Sequence, residues 1–325
     1  MAFEKATKAG VKSLIGIYGG SGSGKTLSAL LLARGLVGPN GFVAVIDTEN
    51  KRGQLYADMI PHGYDIDQLN APFSSKKYMD MIEQAEAACG DRDGALVIDS
   101  ASHEWEGVGG VISAAEGIAE SRAQRNNKDW NGAVAFGDWK APKAEHKHMV
   151  LKMLGSKLHI ICCMRAQRKS HQIEKKDYEK HGIKSSANTT ITQDDFQTPI
   201  QDGNFIYEFT VNIELSNEHP GVPIIRKIHE QLWPAFPDGK QISVETGETI
   251  AAWIQDGGHK TADDVDAVED ASHAATCGID KYEKHFMALT ANQRKMLVQG
   301  GWHATNKETA ATADNEIAAR GEVQS

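Results

Sequence analysis

Cysteine is scarce in this sequence: Cys89, Cys162, Cys163 and Cys277 are the four in 325 residues, and no two form a C-x-x-C pair. That spacing argues against a zinc site or a disulfide framework. Cys162 and Cys163 fall inside an apolar run and read as buried thiols. Long apolar runs are missing too. None is long enough to span a bilayer, and the N-terminal MAFEKATKAG carries no apolar signal segment, so no membrane contact and a cytoplasmic location are expected. Basic character is lacking over the whole chain, whose formal net charge is −9, so any contact with nucleic acid must come from a local patch. There is no internal repeat. The remaining composition, 40% hydrophobic and 24% charged, is that of an ordinary globular protein, long enough for one large domain with an appendage or for two domains.

What is present is concentrated in residues 14–26, LIGIYGGSGSGKT. The apolar stretch Leu14 to Tyr18 runs into Gly19, Gly20, Ser21, Gly22, Ser23, Gly24, Lys25 and Thr26, which fills every fixed position of G-x-x-x-x-G-K-[ST]. The glycines let backbone N–H groups turn inward with no Cβ in the way. The helix-forming run LSALLLARGL follows at once, so the positive end of a helix adds to an anion site. Lys25 can reach the outer phosphates of a nucleotide, and the Thr26 hydroxyl can bind Mg²⁺. A dinucleotide fingerprint is excluded, because in the register starting at Gly20 its third glycine falls on Lys25.

Apolar runs then alternate with helical patterns. FVAVIDTE (42–49), ALVIDS (95–100) and LHIICCM (158–164) are continuously apolar, as strands covered on both faces are, while YDIDQLN (64–70) alternates like an edge strand. Ser74 or Ser75 can cap a helix carrying Tyr78, Met81, Ile82 and Ala85. Residues 102–124, with glycine interruptions, and 142–155 read as further helices. The pattern predicts an α/β fold with a mainly parallel sheet flanked by helices. From 165 to about 203 no apolar period is sustained, and a long loop is expected. NFIYEFTVNIEL (204–215) and VPIIRKI (222–228) read as an antiparallel pair, and 246–255 as a short helix closing the core. These features divide the chain into a core over 1–256, an acidic linker over 257–277 and a small helical appendage over 278–325. In the appendage Ile279, Tyr282, Phe286 and Leu289 share a helical face, and a second helix is expected over 306–319.

Asp99 ends the strand LVID, where an acid can hold Mg²⁺ beside a phosphate loop. The next residue is Ser100, not Glu, so P-loop ATPases that place their catalytic base next to the metal acid are a poor match. Glu104, in S-H-E, reads as a helix-start residue. Glu49 is the better base, because it lies just past a strand whose C-terminal edge faces the phosphate crevice. Asp47 reads as structural.

GGSGSGKT, then VIDTEN, then LVIDS, in this order, resembles the RecA-like recombinase ATPases, and most of all their bacteriophage branch of shrunken-core, single-strand-annealing proteins, labelled phage AAA-family nucleotide-binding proteins. The resemblance covers roughly residues 12–256. It implies a RecA-like core, binding and hydrolysis of ATP with Mg²⁺, and a bacterial host cell as the location. It implies roles as well: Glu49 as the catalytic glutamate, Lys25 and Thr26 on phosphate and Mg²⁺, and Asp99 as the Walker B acid. A polar sensor is expected after the strand LHIICCM, with Arg165 and Gln167 as candidates and Gln167 preferred. The loop after that strand is where such proteins contact single-stranded DNA. Here residues 165–184 hold seven Lys or Arg against three acids, a net of +4, and Arg168, Lys169, Lys175 and Lys176 are the candidate phosphate contacts. Such sites lie between subunits of a homo-oligomer, and Arg226 and Lys227 in IIRKI stand where the family carries the cation a neighbour donates. Strand alternation would put these two on opposite faces. No N-terminal oligomerisation segment is recognisable, which favours annealing or regulation over strand exchange. A single-strand-binding protein is a candidate partner for the C-terminal tail. Two other readings stand beside this one: a P-loop kinase of a small molecule, and a nucleotide-gated partner protein with weak ATPase activity.

Overall fold

The computed structural model describes residues 8, 10–174, 189–194, 196–255, 262–290, 293–294, 297–298 and 302–322. Contacts divide the chain into a unit of Lys8–Asp256 and a second, C-terminal unit.

The strands of the larger unit are β1 (Leu14–Gly19), β2 (Phe42–Asp47), β3 (Asp65–Gln68), β4 (Gly94–Asp99), β5 (His159–Gln167), β6 (Ser170–Glu174), β7 (Thr189–Gln193), β8 (Thr198–Pro199), β9 (Val211–Leu215) and β10 (Pro223–Lys227). The main sheet runs β10-β9-β1-β5-β4-β2-β3. Its pairs are parallel from β3 through to β9, and β10 closes one edge antiparallel to β9. Every residue of β1, β2 and β4 is buried, as their continuous apolar runs require of strands covered on both faces. The alternating β3 is the half-exposed edge. One face is covered by α1 (Lys25–Val37) and α6 (Val244–Gln255), the other by α2 (Ser75–Cys89) and α5 (Lys140–Leu154). Two short-spaced helices, α3 (Ser102–Glu106) and α4 (Val111–Arg125), follow β4. The α/β fold with a mainly parallel, helix-flanked sheet is therefore what the chain forms.

Helices α1 and α6 approach at glycines. A Cβ on Gly35 would lie 2.0 Å from the Val244 carbonyl oxygen, and one on Gly247 would lie 2.3 Å from that of Leu32. Backbone cannot yield at those distances, so both positions must be bare. At the C-terminal end of α1, Arg34 is 3% exposed and donates to the carbonyls of Gly38, Gly41 and Gly63 at 2.8, 2.9 and 2.6 Å, tying down the turn into β2.

Three expectations need correction. The described residues of 165–203 are not a plain loop: β5 runs on to Gln167, β6 and β7 pair antiparallel, and β8 pairs with the end of β5. Polar β-branched residues such as Thr189, Thr190 and Thr192 build the β6–β7 pair without an apolar period. Residues 204–210 do not extend the following strand; Phe205–Tyr207 is a 3₁₀ turn that buries Phe205 and Phe209 against the α5 face. The acidic linker is largely a helix, α7 (Ala262–Ala275), whose alanines at 267, 271 and 275 are buried at helical spacing. Alanine packs without large side chains, so the segment reads as coreless in composition while still burying one face.

The C-terminal unit adds α8 (Ile279–Ala288) and α9 (Trp302–Glu322). Tyr282, Leu297 and Ala310 form its core with the α7 alanines, and Ile279, Phe286 and Leu289 pack around them as the expected face predicts. All four cysteines are free thiols, and Cys162 and Cys163 are fully buried. Among the described residues no helix is long and apolar enough to cross a membrane.

Candidate active site

The site is built where parallel strands end together. Register places Asp47 beside Asp99, Asp99 beside Cys163, and Gly19 beside Arg165, so the ends of β1, β2 and β4 fall within two residues of one another along β5. Between β1 and α1 the loop turns through Gly22 and Gly24, at φ +83° and +90°, which only glycine adopts without strain. A Cβ on Gly24 would also come within 2.8 Å of the Gly221 nitrogen. The loop is braced from the β9–β10 turn: Asn217 Nδ2 donates to the Ser21 carbonyl at 2.7 Å, and the Gly221 N–H to that of Ser23 at 2.9 Å. No sequence signal marked Asn217. Helix α1 has no acidic residue in its first turn and no side-chain cap, so its N-terminal dipole faces the loop uncompensated. Lys25 Nζ donates to the carbonyls of Gly19 and Gly20 at 2.9 and 2.8 Å, holding the ammonium over the loop.

Next to the loop, the Thr26 hydroxyl donates to Asp99 Oδ2 at 2.6 Å. Burial pushes the Asp99 carboxyl above its ordinary range; the Thr26 hydrogen bond and the Lys25 charge oppose that, and the Glu49 charge adds to it. Two hard oxygens side by side, one a carboxylate short of compensating charge, suit Mg²⁺, which takes one or two protein oxygens and completes its shell with phosphate and water. Among the described residues no cluster of three or more His, Cys, Asp or Glu forms a metal cage. Thr26 and Asp99 are therefore the residues that would hold Mg²⁺.

Glu49 enters the same cleft from the end of β2. Asp47 fixes its backbone by accepting from the Glu49 N–H at 2.6 Å and from the Gly53 N–H at 3.0 Å, the structural role expected of it. The Glu49 carboxylate is held by Arg165, whose NH2 and Nε lie 2.8 and 3.2 Å from Oε1, and Arg52 lies 3.6 Å from Oε2. Arg165 also faces Glu106 at 3.8 Å. The cleft, about 580 Å³, is lined by the phosphate loop together with Glu49, Arg52, Tyr56, Asp99 and Arg165. That volume suits a nucleotide.

Not every expected residue converges there. Gln167, the preferred sensor, is exposed beyond the cleft, where β8 pairs with it. Arg165, the other candidate, is level with Gly19 and lines the cleft. Glu104 is fully buried away from the cleft, bonded to Ser75 and to His146 at 3.0 Å. Arg226 does not share a regular strand alternation with Lys227, because the β9–β10 register shifts between Ile225 and Lys227. Its guanidinium sits 2.7 Å from Glu214 of its own chain, while Lys227 donates to the Tyr207 carbonyl. Burial and the Glu214 charge push the neighbouring Tyr18 phenol up to about 12. Arg168 and Lys169 are exposed where β5 leads into β6. Lys175 and Lys176 lie outside the described residues. Sequence reasoning missed His103 and Thr48; an imidazole one turn past Asp99 was the available signal.

The model of the AAA domain family matches residues 12–197, more than half of the chain. No curated protein matches. Among solved structures, the chain is similar to a KaiC-like protein from the hyperthermophilic archaeon Pyrococcus horikoshii OT3, at 14% identity and a TM-score of 0.35, over 67% of this chain and 80% of that one. At that score the likeness carries no argument, and the fold stands on the strand order above.

Proposed function

The chain belongs to the AAA domain family of P-loop proteins, and on that premise we propose that it binds ATP and hydrolyses it with Mg²⁺. One observation carries the reading: Lys25, the Thr26–Asp99 pair and Glu49 come from three separate segments and meet in one cleft. The bare loop N–H groups and the α1 dipole bind the phosphate chain. Lys25 exchanges its two loop carbonyls for the outer phosphates. Thr26 and Asp99 would hold Mg²⁺, which would supply charge neutralisation when bound. Glu49 orients the attacking water and takes its proton.

In the finer reading the partner is single-stranded DNA, in phage annealing, recombination or replication, and the working form is a homo-oligomer. The surplus of basic residues over 165–184 in a chain of net −9 supports the DNA part, since it starts at the residue that grips Glu49. Turnover measured with and without Mg²⁺ and single-stranded DNA tests both levels. Glu49→Gln is expected to keep ATP affinity and lose hydrolysis, because a base acts on the water rather than on ground-state binding. Unchanged turnover in Glu49→Gln would sink the assignment of the base. Turnover indifferent to DNA would remove the DNA reading and leave the ATPase.

A further inference from the structure

His103 lies beside Glu49, with one ring nitrogen toward Thr48 and the other toward Glu49. The Thr48 hydroxyl oxygen accepts from the Ser100 N–H at 2.7 Å. Its one proton can go to His103 Nδ1, at 2.6 Å, or to the Ser100 carbonyl, at 3.4 Å. With the Thr48 proton assigned to the shorter contact, Nδ1 is the acceptor and the ring proton sits on Nε2. Nε2 faces Glu49 Oε1 at 3.9 Å. The ring is locked from one side by Phe73, stacked at a centroid distance of 4.9 Å, and its side chain is 12% exposed.

We propose that Thr48 and His103 form a positioning pair for the base: Thr48 fixes His103 as the Nε2–H imidazole, which stands 3.9 Å from Glu49 Oε1 while Arg165 bonds that oxygen, so that Oε2, 3.6 Å from Arg52, takes the proton of the attacking water. This deepens the ATPase reading above and rests on it for its kinetic consequence. The charged groups acting on the ring are Arg165, from β5, and Glu49, from the loop after β2. Burial and the Arg165 charge hold the imidazole below its ordinary range, with Glu49 opposing them, so it is neutral at pH 7. When it does gain a proton, Nδ1–H displaces the Thr48 proton and a full positive charge stands beside Glu49, lowering its basicity. Turnover therefore falls on the acid side, with a midpoint below 6.5.

Two substitutions separate positioning from mere packing. His103→Gln keeps an N–H toward Glu49 but cannot titrate; His103→Phe keeps the stack on Phe73 but has no donor. With Mg-ATP, His103→Phe is expected to lower kcat about tenfold at nearly constant KM, and His103→Gln to stay within about threefold of the parent with its acid limb moved to lower pH. Parental kcat in His103→Phe, or an acid limb that does not move in His103→Gln, overturns the proposal. Histidine ¹⁵N NMR decides it without turnover. The His103 signals, assigned by their loss in His103→Gln, are expected to show the Nε2–H form, with a pKa that falls further in Glu49→Gln. An Nδ1–H form, or a pKa indifferent to Glu49→Gln, overturns it. If the parent does not hydrolyse ATP, the ATPase reading fails while the NMR result still stands for or against the pair.

Discussion

Arg165 and Gln167 stand two residues apart on β5 and so point to the same face, yet only Arg165 lines the cleft. Two residues are about 6.6 Å of strand, enough to carry Gln167 past the level of the phosphate loop. Arg165→Ala is therefore expected to lower kcat at least about tenfold, since Glu49 loses the partner that aims it, while Gln167→Ala stays within about twofold. Steady-state turnover of the two variants measures the difference, and the reverse order would restore Gln167 as the sensor. His159 makes a different residue-level case. It is 5% exposed, and its Nδ1 accepts from the Ser13 N–H at 3.1 Å, so burial, with the Lys12 charge added, pushes it down to about 4. The unfolded chain takes up a proton near 6.5 and the folded one does not until about 4, so the unfolded state binds more protons in that window. Stability is thus full above 6.5 and is lost as pH falls toward 4. Between pH 7 and pH 5 the loss is about 2 kcal/mol. His159→Asn, which keeps an acceptor without the titration, is expected to remove this part of the acid sensitivity in urea unfolding; an equal loss in both proteins would show that another group is responsible.

Elements were legible in the sequence where one local signal sufficed. Ser74 caps α2 by accepting from the Lys77 N–H, as the run behind it predicts. The continuously apolar β1, β2 and β4 could only be buried strands, and their shared polarity brings Glu49 and Asp99 to the phosphate loop. Elements that rest on partners rather than periodicity were not legible. The β6–β7 pair is mostly polar, the fully buried positions described on α7 are alanines, and the β10 bulge that separates Arg226 from Lys227 is a property of pairing with β9. Glycine within helices shows the same dependence on partners. Alanine is the better helix former by about 1 kcal/mol, so propensity alone favours Gly→Ala in any helix. On α4, a Cβ at Gly117 would meet nothing within 4 Å, and Gly117→Ala is expected to stabilise by about 0.5–1 kcal/mol. On α1, the Cβ at Gly35 meets α6 backbone at 2.0 Å, and Gly35→Ala is expected to destabilise by about 1–3 kcal/mol despite the propensity gain. Midpoints of urea unfolding test the opposed signs, and a stabilised Gly35→Ala would mean that α1 and α6 are free to move apart.

Charge is a property of the whole molecule, and here its average and its local value differ in sign. A chain of net −9 repels DNA except where basic residues cluster, and 165–184 is such a cluster at net +4. Its position matters as much as its sign. The segment begins at Arg165, bonded to Glu49, and passes through the exposed Arg168 and Lys169 into β6. On the proposed reading, DNA bound to this segment would act on the residue that holds the base, and nucleotide bound beside Glu49 would act back on the segment. Reciprocity then requires that if ATP strengthens DNA binding, DNA strengthens ATP binding by the same factor. Neutralising Arg168, Lys169, Lys175 and Lys176 together is expected to weaken single-stranded DNA binding while basal hydrolysis continues, since the described pair, Arg168 and Lys169, is not among the cleft residues above. Each DNA phosphate that no longer meets a cation should reduce the slope of log K against log salt by roughly 0.7. Anisotropy of a labelled oligonucleotide over a salt series, with and without a non-hydrolysable ATP analogue, reads both effects. The unmodified chain should bind more tightly with the analogue, and the fourfold variant should show the shallower slope. An unchanged slope in the variant would place the DNA-binding surface elsewhere on the molecule, and no binding by the unmodified chain in any nucleotide state would leave the basic segment to a partner other than DNA.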